Sequence, residues 1–187
     1  MKTDLRSKMY RESRDLAKLI YEWHCEYLPT LRSCSPHTVR AYKQSLRLYV
    51  TYLSDVHSVT PLTLRSESFT VKILEEWRQW LKSSRKCSHD TCNQRMAAMH
   101  SLLHYMGSRD EQYAHLYISA ADSIKPLRSD RIKVEGMSRA AVKAIFSVPD
   151  PTTRTGLRDL VLMMLNYGIA SRLDEVLSLK IRDLHLE

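Results

Sequence analysis

Along the first two-thirds of the chain, apolar residues recur at spacings of three and four, the period of an α-helix, and no run alternates as a strand would. From residue 5 to 28 the apolar positions are Leu5, Met9, Leu16, Leu19, Ile20, Trp23 and Tyr27, and Pro29 is expected to end that helix. Ser35-Pro36 sets an N-cap before a proline at the first helical position, where a missing N–H costs nothing. The helix it opens carries Val39, Tyr42, Leu46, Tyr49, Val50 and Leu53 on one face and Arg40, Lys43 and Arg47 on another. A polar connector over residues 54–68 leads to a third helix over 70–84, with Ile73, Leu74, Trp77, Trp80 and Leu81 as its apolar stripe. The basic turn Ser84-Arg85-Lys86-Cys87-Ser88 precedes a fourth helix over 89–106, expected to stop near Gly107. Ser108-Arg109-Asp110-Glu111 has capping-box spacing and predicts a fifth helix of about a dozen residues.

Residues 123–136 lose periodicity, hold Pro126 and Gly136 among charges, and read as an interdomain linker. The expected organisation is therefore a helical domain over 1–122, the linker over 123–136, and the beginning of a second domain over 137–187. In that second part, Ser171 is a natural N-cap and Asp174 stands at capping-box distance, with Leu173, Val176 and Leu177 as the buried stripe. Arg172 is the odd member, because a cation in the first helical turn opposes the macrodipole. An ion pair with Asp174, Glu175 or another carboxylate is the plain role for it. The other is phosphate reception, since a helix N-terminus beside an arginine fork is a good anion receptor.

Composition narrows the classes. Hydrophobic residues make up 43% and charged residues 27% of the 187, the profile of a soluble globular protein. No apolar run approaches membrane-spanning length, and Met1-Lys2-Thr3-Asp4-Leu5-Arg6 has no apolar signal region, so a cytoplasmic protein without membrane association is expected. The net charge of +8 favours a polyanionic partner. Residues 1–125 hold nineteen Lys/Arg against thirteen Asp/Glu, so most of the excess lies in the helical domain. Metal binding is not expected. Cys25, Cys34, Cys87 and Cys92 contain no C-x-x-C pair, and His100 and His104, four residues apart, have no third ligand at useful spacing.

The stretch Arg172-Leu173-Asp174-Glu175-Val176-Leu177-Ser178-Leu179, followed by Asp183, resembles the first active-site motif of tyrosine recombinases, the phage-integrase family. Arg172, Glu175, Leu177, Leu179 and Asp183 fit that motif, while Ala170 stands where glycine is usual and Ile169 where threonine is usual. Pro149 through Leu160 is similar to the family's approach to the same helix, and Met137-Ser138-Arg139-Ala140-Ala141-Val142 to the short capped helix opening its catalytic domain. Ser35-Pro36-His37-Thr38-Val39-Arg40-Ala41-Tyr42 with Leu46, and Ser88, Thr91, Asn93, Gln94 and Arg95, resemble its core-binding domain.

The resemblance implies a mainly α chain: a SAM-like helical core-binding bundle that clamps double-stranded DNA, then the first helices of a truncated α+β catalytic domain. Short polar groups and cations in a helix's first turns reach phosphate oxygens. The candidate DNA contacts are Thr38, Arg40, Lys43, Arg47, Thr91, Asn93 and Arg95. Arg172 is implied to be the first catalytic arginine, on the scissile phosphate, and Glu175 a supporting carboxylate.

Strand exchange through a phosphotyrosyl link needs a nucleophile, charge stabilisation at phosphorus and an acid for the leaving oxygen. The family supplies these from a tyrosine, two arginines, a hairpin lysine and histidines, with no metal, cofactor or small-molecule substrate. Everything but the first arginine falls after Arg172 in family order, and residues 173–187 contain no H-x-x-R pair, hairpin lysine or tyrosine. His37-Thr38-Val39-Arg40 fits H-x-x-R by letters alone, in the wrong order. Tyr42, Tyr49 and Tyr167 are expected on core or near-core faces, so no nucleophile is assigned. The chain therefore reads as the DNA-binding portion of a site-specific recombinase, unable to cleave, with multimers formed on DNA only by a full-length parent. A non-enzymatic helical DNA-binding or regulatory protein is the alternative, and a helical protein-interaction module the third reading.

Overall fold

The computed structural model describes residues 2–128 and 135–183, except the side chains of residues 2–8 and Ile181. The described residues form helices and turns without strands, so the fold is all-α. Two compact units divide the chain, Met1–Asp130 and Arg131–Glu187.

The first unit is a five-helix bundle: α1 Lys2–Glu22, α2 Pro36–His57, α3 Val71–Ser83, α4 His89–Arg109 and α5 Ala114–Ser123. Its core joins Leu16 and Trp23 to Tyr49, Tyr52 and Leu53 of α2, Leu74, Trp77 and Leu81 of α3, a long face of α4, and Leu116 and Ala120 of α5. Tyr49 meets the Trp77 ring edge-on at 4.9 Å between centroids, and its hydroxyl donates to the Ser68 carbonyl. Trp23 Nε1 donates 3.3 Å to Ser101 Oγ, so the indole is buried with its polar atom paired. Leu5 is among the undescribed side chains.

Four local expectations are corrected. Pro29 does not end the first helix; α1 passes into a π-helical turn, Trp23–Leu31, with Pro29 inside it. The wider i→i+5 register spares the proline ring the clash with carbonyl i−4 that breaks an α-helix. On α2, Val50 is exposed and Tyr52 takes the buried position. Gly107 does not stop α4 but lies within it, where an added Cβ would sit 2.9 Å from Ala114 Cα. Close α4–α5 packing, not chain reversal, is what requires glycine there. The fifth helix starts later than expected. Asp110, whose carboxylate accepts from the Gln112 N–H at 3.1 Å, caps a 3₁₀ turn that leads into α5, and Ser108 instead bonds back to the Tyr105 carbonyl.

Beyond α5, residues 124–128 have no helical or strand structure. The middle of the expected linker, residues 129–134, lies outside the described residues.

The second unit holds α6 Arg139–Phe146, α7 Arg154–Ile169 and α8 Leu173–Ser178. Ser138 caps α6 through the Ala141 N–H at 3.2 Å, and Thr153 caps α7 through the Gly156 N–H at 3.0 Å. Gly156 is buried against the loop before it; a Cβ there would stand 2.0 Å from the Asp150 carbonyl oxygen. Among the described residues of this unit, Val142 and Val176 are the buried apolar side chains, whereas Leu173 and Leu177, expected in the core stripe, are each 62% exposed. Tyr167, expected near a core, is 58% exposed. No described element of the chain covers that face of α8, so helical periodicity alone does not bury it.

Candidate nucleic-acid interface

Helices α2 and α4 begin with the same device. Ser35 Oγ accepts the Thr38 N–H at 3.2 Å, and Ser88 Oγ accepts the Thr91 N–H at 3.2 Å. In each case the two hydroxyls also meet, at 3.0 Å for Ser35–Thr38 and 2.9 Å for Ser88–Thr91. The caps satisfy one orphan N–H apiece and fix both helix ends. Thr38 and Thr91 are half-buried within this hydroxyl pair, so their first role is to complete a cap.

Down α2 from its cap, Arg40, Lys43 and Arg47 are all exposed and have no ion-pair partner among the described residues. The spacing i, i+3, i+7 lays them along one stripe of the helix. Lys43 lies near His24, whose imidazole is held below its usual range first by burial and then by the lysine charge. An unneutralised cationic stripe of this kind is the electrostatic signature of a polyanion surface.

The two α4 candidates are already engaged. Arg95 Nη1 donates to Cys87 Sγ at 2.9 Å, folding the half-buried guanidinium against the turn before the helix. Asn93 Oδ1 accepts the Leu127 N–H at 2.8 Å, and its Nδ2 donates to the Leu127 carbonyl at 2.8 Å. That amide holds the chain after α5, a partner 34 positions away that no local pattern reveals. Burial, the neighbouring Cys87 thiol adding to it, pushes the Cys92 thiol up.

Sequence reasoning missed an open groove of about 700 Å³ beside α4, lined by Tyr27, Arg32, Tyr42, Asn93, His100, His104 and Tyr117 among others. Arg32 Nη1 donates 3.1 Å to Ser101 Oγ at its wall, the hydroxyl that also receives Trp23. Burial holds the His100 imidazole below its usual range. The signal was present as the i, i+4 histidine pair, but it marks a groove face; among the described residues no group of three or more His, Cys, Asp or Glu side chains is arranged to hold a metal ion.

In the second unit, α7 ends at Ala170 in the left-handed conformation, φ 49°. The helix after it begins one residue later than expected: Arg172, not Ser171, is the N-cap of α8, and the carboxylate that reaches back is Glu175. Glu175 Oε2 accepts the Arg172 N–H at 2.9 Å, and its Oε1 receives Arg172 Nη1 at 3.0 Å. A guanidinium has no acceptor to return, so this is half of a capping box closed by an ion pair. These bonds hold the Glu175 carboxyl below its usual range, the backbone donor foremost. The Arg172 side chain is 88% exposed, so its remaining donors face solvent. The structure thus gives Arg172 its plain role without burying it.

No helix among the described residues is long and apolar enough to cross a membrane. No solved structure matches the chain significantly. The chain is 25% identical over 169 residues to y4rC of Sinorhizobium fredii, an inferred integrase/recombinase, covering 90% of this chain and 51% of that protein. Tyrosine recombinase XerD of Listeria monocytogenes is 27% identical over 164 residues, 86% of this chain and 51% of the relative. Tyrosine recombinase XerA of Thermococcus kodakarensis is 27% identical over 157 residues, 84% and 46% of the two chains. The chain thus spans about half the length of these curated relatives. Residues 22–110, from the π turn to the end of α4, match the phage integrase N-terminal SAM-like domain family. The capped bundle thus matches that SAM-like domain family, and across both units the chain is similar to tyrosine recombinases.

Proposed function

We propose that this polypeptide is the DNA-binding portion of a site-specific tyrosine recombinase, and that by itself it binds duplex DNA without cleaving it. The observation that carries the reading is the exposed, unneutralised stripe Arg40, Lys43 and Arg47 on α2, set behind a helix cap that α4 repeats. Residues 1–122 act as the core-binding clamp, and residues 137–187 as the opening portion of the catalytic domain. The grip itself is electrostatic and breaks no bond. In the second unit Arg172 serves as the phosphate-facing arginine once a substrate competes for its donors, with Glu175 holding its backbone. The reading needs no metal or cofactor, because an electrostatic grip on phosphates transfers no group and moves no electron.

Cleavage requires a nucleophile and an acid beside that arginine. Residues 173–187 offer neither a tyrosine nor a histidine–arginine pair, which supports binding without reaction. The Arg172–Glu175 ion pair favours a second reading, a non-enzymatic helical DNA-binding protein in which Arg172 only stabilises α8. Incubation with a nicked suicide duplex carrying the cognate site tests the proposal: retarded, non-covalent complexes are expected, and a denaturant-resistant protein–DNA adduct would overturn the claim that the chain does not cleave.

A further inference from the structure

The segment after α5 is held by side chains, not by secondary structure. Arg78 Nη1 of α3 donates to the Lys125 carbonyl at 3.0 Å. Asn93 of α4 pairs with both the N–H and the carbonyl of Leu127, each at 2.8 Å. His89 Nδ1, in the first residue of α4, lies 2.7 Å from the Arg128 carbonyl oxygen, a contact that places the proton on Nδ1. Three side chains therefore bind four backbone groups over four residues, one of which, Pro126, has no N–H to offer. Ile124 is buried and Leu127 half-buried beneath them. An unstructured connection would not order its backbone in this way without a return for the lost entropy.

The consequence is positional. The Arg128 backbone is pinned to the head of α4, next to the Ser88 cap and the basic turn containing Arg85 and Lys86. Arg128 is exposed. Cations from two distant stretches of chain are thus brought to one helix end, and Asn93 is the residue whose two bonds fix the register of the second stretch.

We propose that Arg128 is a DNA-backbone contact and that Asn93 is a positioning residue acting through it, instead of touching DNA itself. This rests on the duplex-binding reading above. The test is a double-mutant cycle on the full chain: duplex affinity across a salt series for wild type, Arg128→Ala, Asn93→Ala and the double variant. Because log K falls by about 0.9 per log unit of salt for each neutralised phosphate, Arg128→Ala is expected to lower the slope by about 0.9, and Arg128→Lys to retain it. Asn93→Ala is expected to produce the same loss, with the double variant no worse than either single one. In Asn93→Ala the Leu127 amide should exchange faster while those of Leu102 and Leu103 keep their protection, which separates a released strap from an unfolded bundle. Additive losses would overturn the positioning role and make Asn93 a direct contact. An unchanged slope in Arg128→Ala, whose exposed side chain can be removed without harm to the fold, would overturn the inference while leaving duplex binding intact. A wild-type chain that fails to bind duplex at low salt would remove the functional reading and this inference together.

Discussion

In Met1–Asp130, apolar side chains from five helices converge on one core, with Trp23, Trp77, Tyr49, Tyr52 and Phe69 at or near full burial. In Arg131–Glu187 the helices are as well capped, yet Val142 and Val176 are the only buried apolar side chains among the described residues, and Leu157, Met164, Leu173 and Leu177 are half or more exposed. Capping sets where a helix starts; it contributes about 1 kcal/mol per cap and does not hold helices to each other. Burial does, at roughly 1.5–3 kcal/mol for each large apolar side chain taken fully out of water. The first unit is therefore a domain in the energetic sense, and the second is a set of correctly started helices with little core of its own.

The largest expected effect comes from removing the centre of the first core. Trp77→Ala should lower the bundle's stability by about 3–5 kcal/mol in a denaturant titration, because a fully buried indole leaves a cavity that neighbours only partly fill. A loss below about 1 kcal/mol would mean that the core is not packed around Trp77 and would break the contrast between the units.

Alkali gives the next test. Burial pushes Tyr52 and Tyr113 up to about 12, with neighbouring carboxylates adding to it, and burial also holds the Tyr49 phenol above its usual range. A phenol raised in the folded state lends stability that is fully present below its unfolded value, about 10, and is lost as pH rises through the folded value. The bundle should thus unfold progressively between pH 10 and about 12, followed by tyrosinate absorbance together with helical circular dichroism. Ionisation of all ten tyrosines near pH 10 with no loss of helix would contradict the burial of Tyr49, Tyr52 and Tyr113. The second unit buries no tyrosine among its described residues, so the same titration distinguishes the two.

The smallest effect is a gain. Ala170 carries φ 49° at the end of α7, a conformation that costs an L-residue about 1–2 kcal/mol and glycine little. Part of that relief is offset by the greater freedom of glycine in the unfolded chain, so Ala170→Gly should stabilise the second unit by about 0.5–1 kcal/mol. Hydrogen exchange of α7 and α8 amides reads it, and destabilisation would show that the left-handed turn is not populated.

What was legible in the chain followed from local chemistry. Ser35-Pro36, Ser88 and Ser138 announce helix starts because a short hydroxyl side chain reaches N–H groups within its own turn, and all three cap as expected. The stripe Leu74, Trp77 and Leu81 is read correctly from its period because α3 has a core to face. The same reasoning misplaces Leu173 and Leu177, since period says which residues share a face and not whether anything covers it. Pro29 and Gly107 mislead for a related reason: each reads as a stop, whereas a π turn accommodates one and close packing against Ala114 requires the other. Of the candidate contacts, the α2 cations remain open to solvent as expected, while Arg95 is drawn to Cys87 and Asn93 to Leu127 by partners outside the helical pattern. At Arg172 the arginine and carboxylate were legible, but which residue caps α8 depended on where α7 ended.

If the bundle grips duplex DNA through the cationic stripe of α2, a salt series on one triple variant should reveal it. Arg40, Lys43 and Arg47 are exposed, so their joint replacement by alanine leaves the core intact and isolates the electrostatic contribution. If all three neutralise phosphates, the slope of log K against log salt for duplex binding should fall by about 2.7, at about 0.9 for each. A triple variant that folds and binds with the wild-type slope would contradict the account.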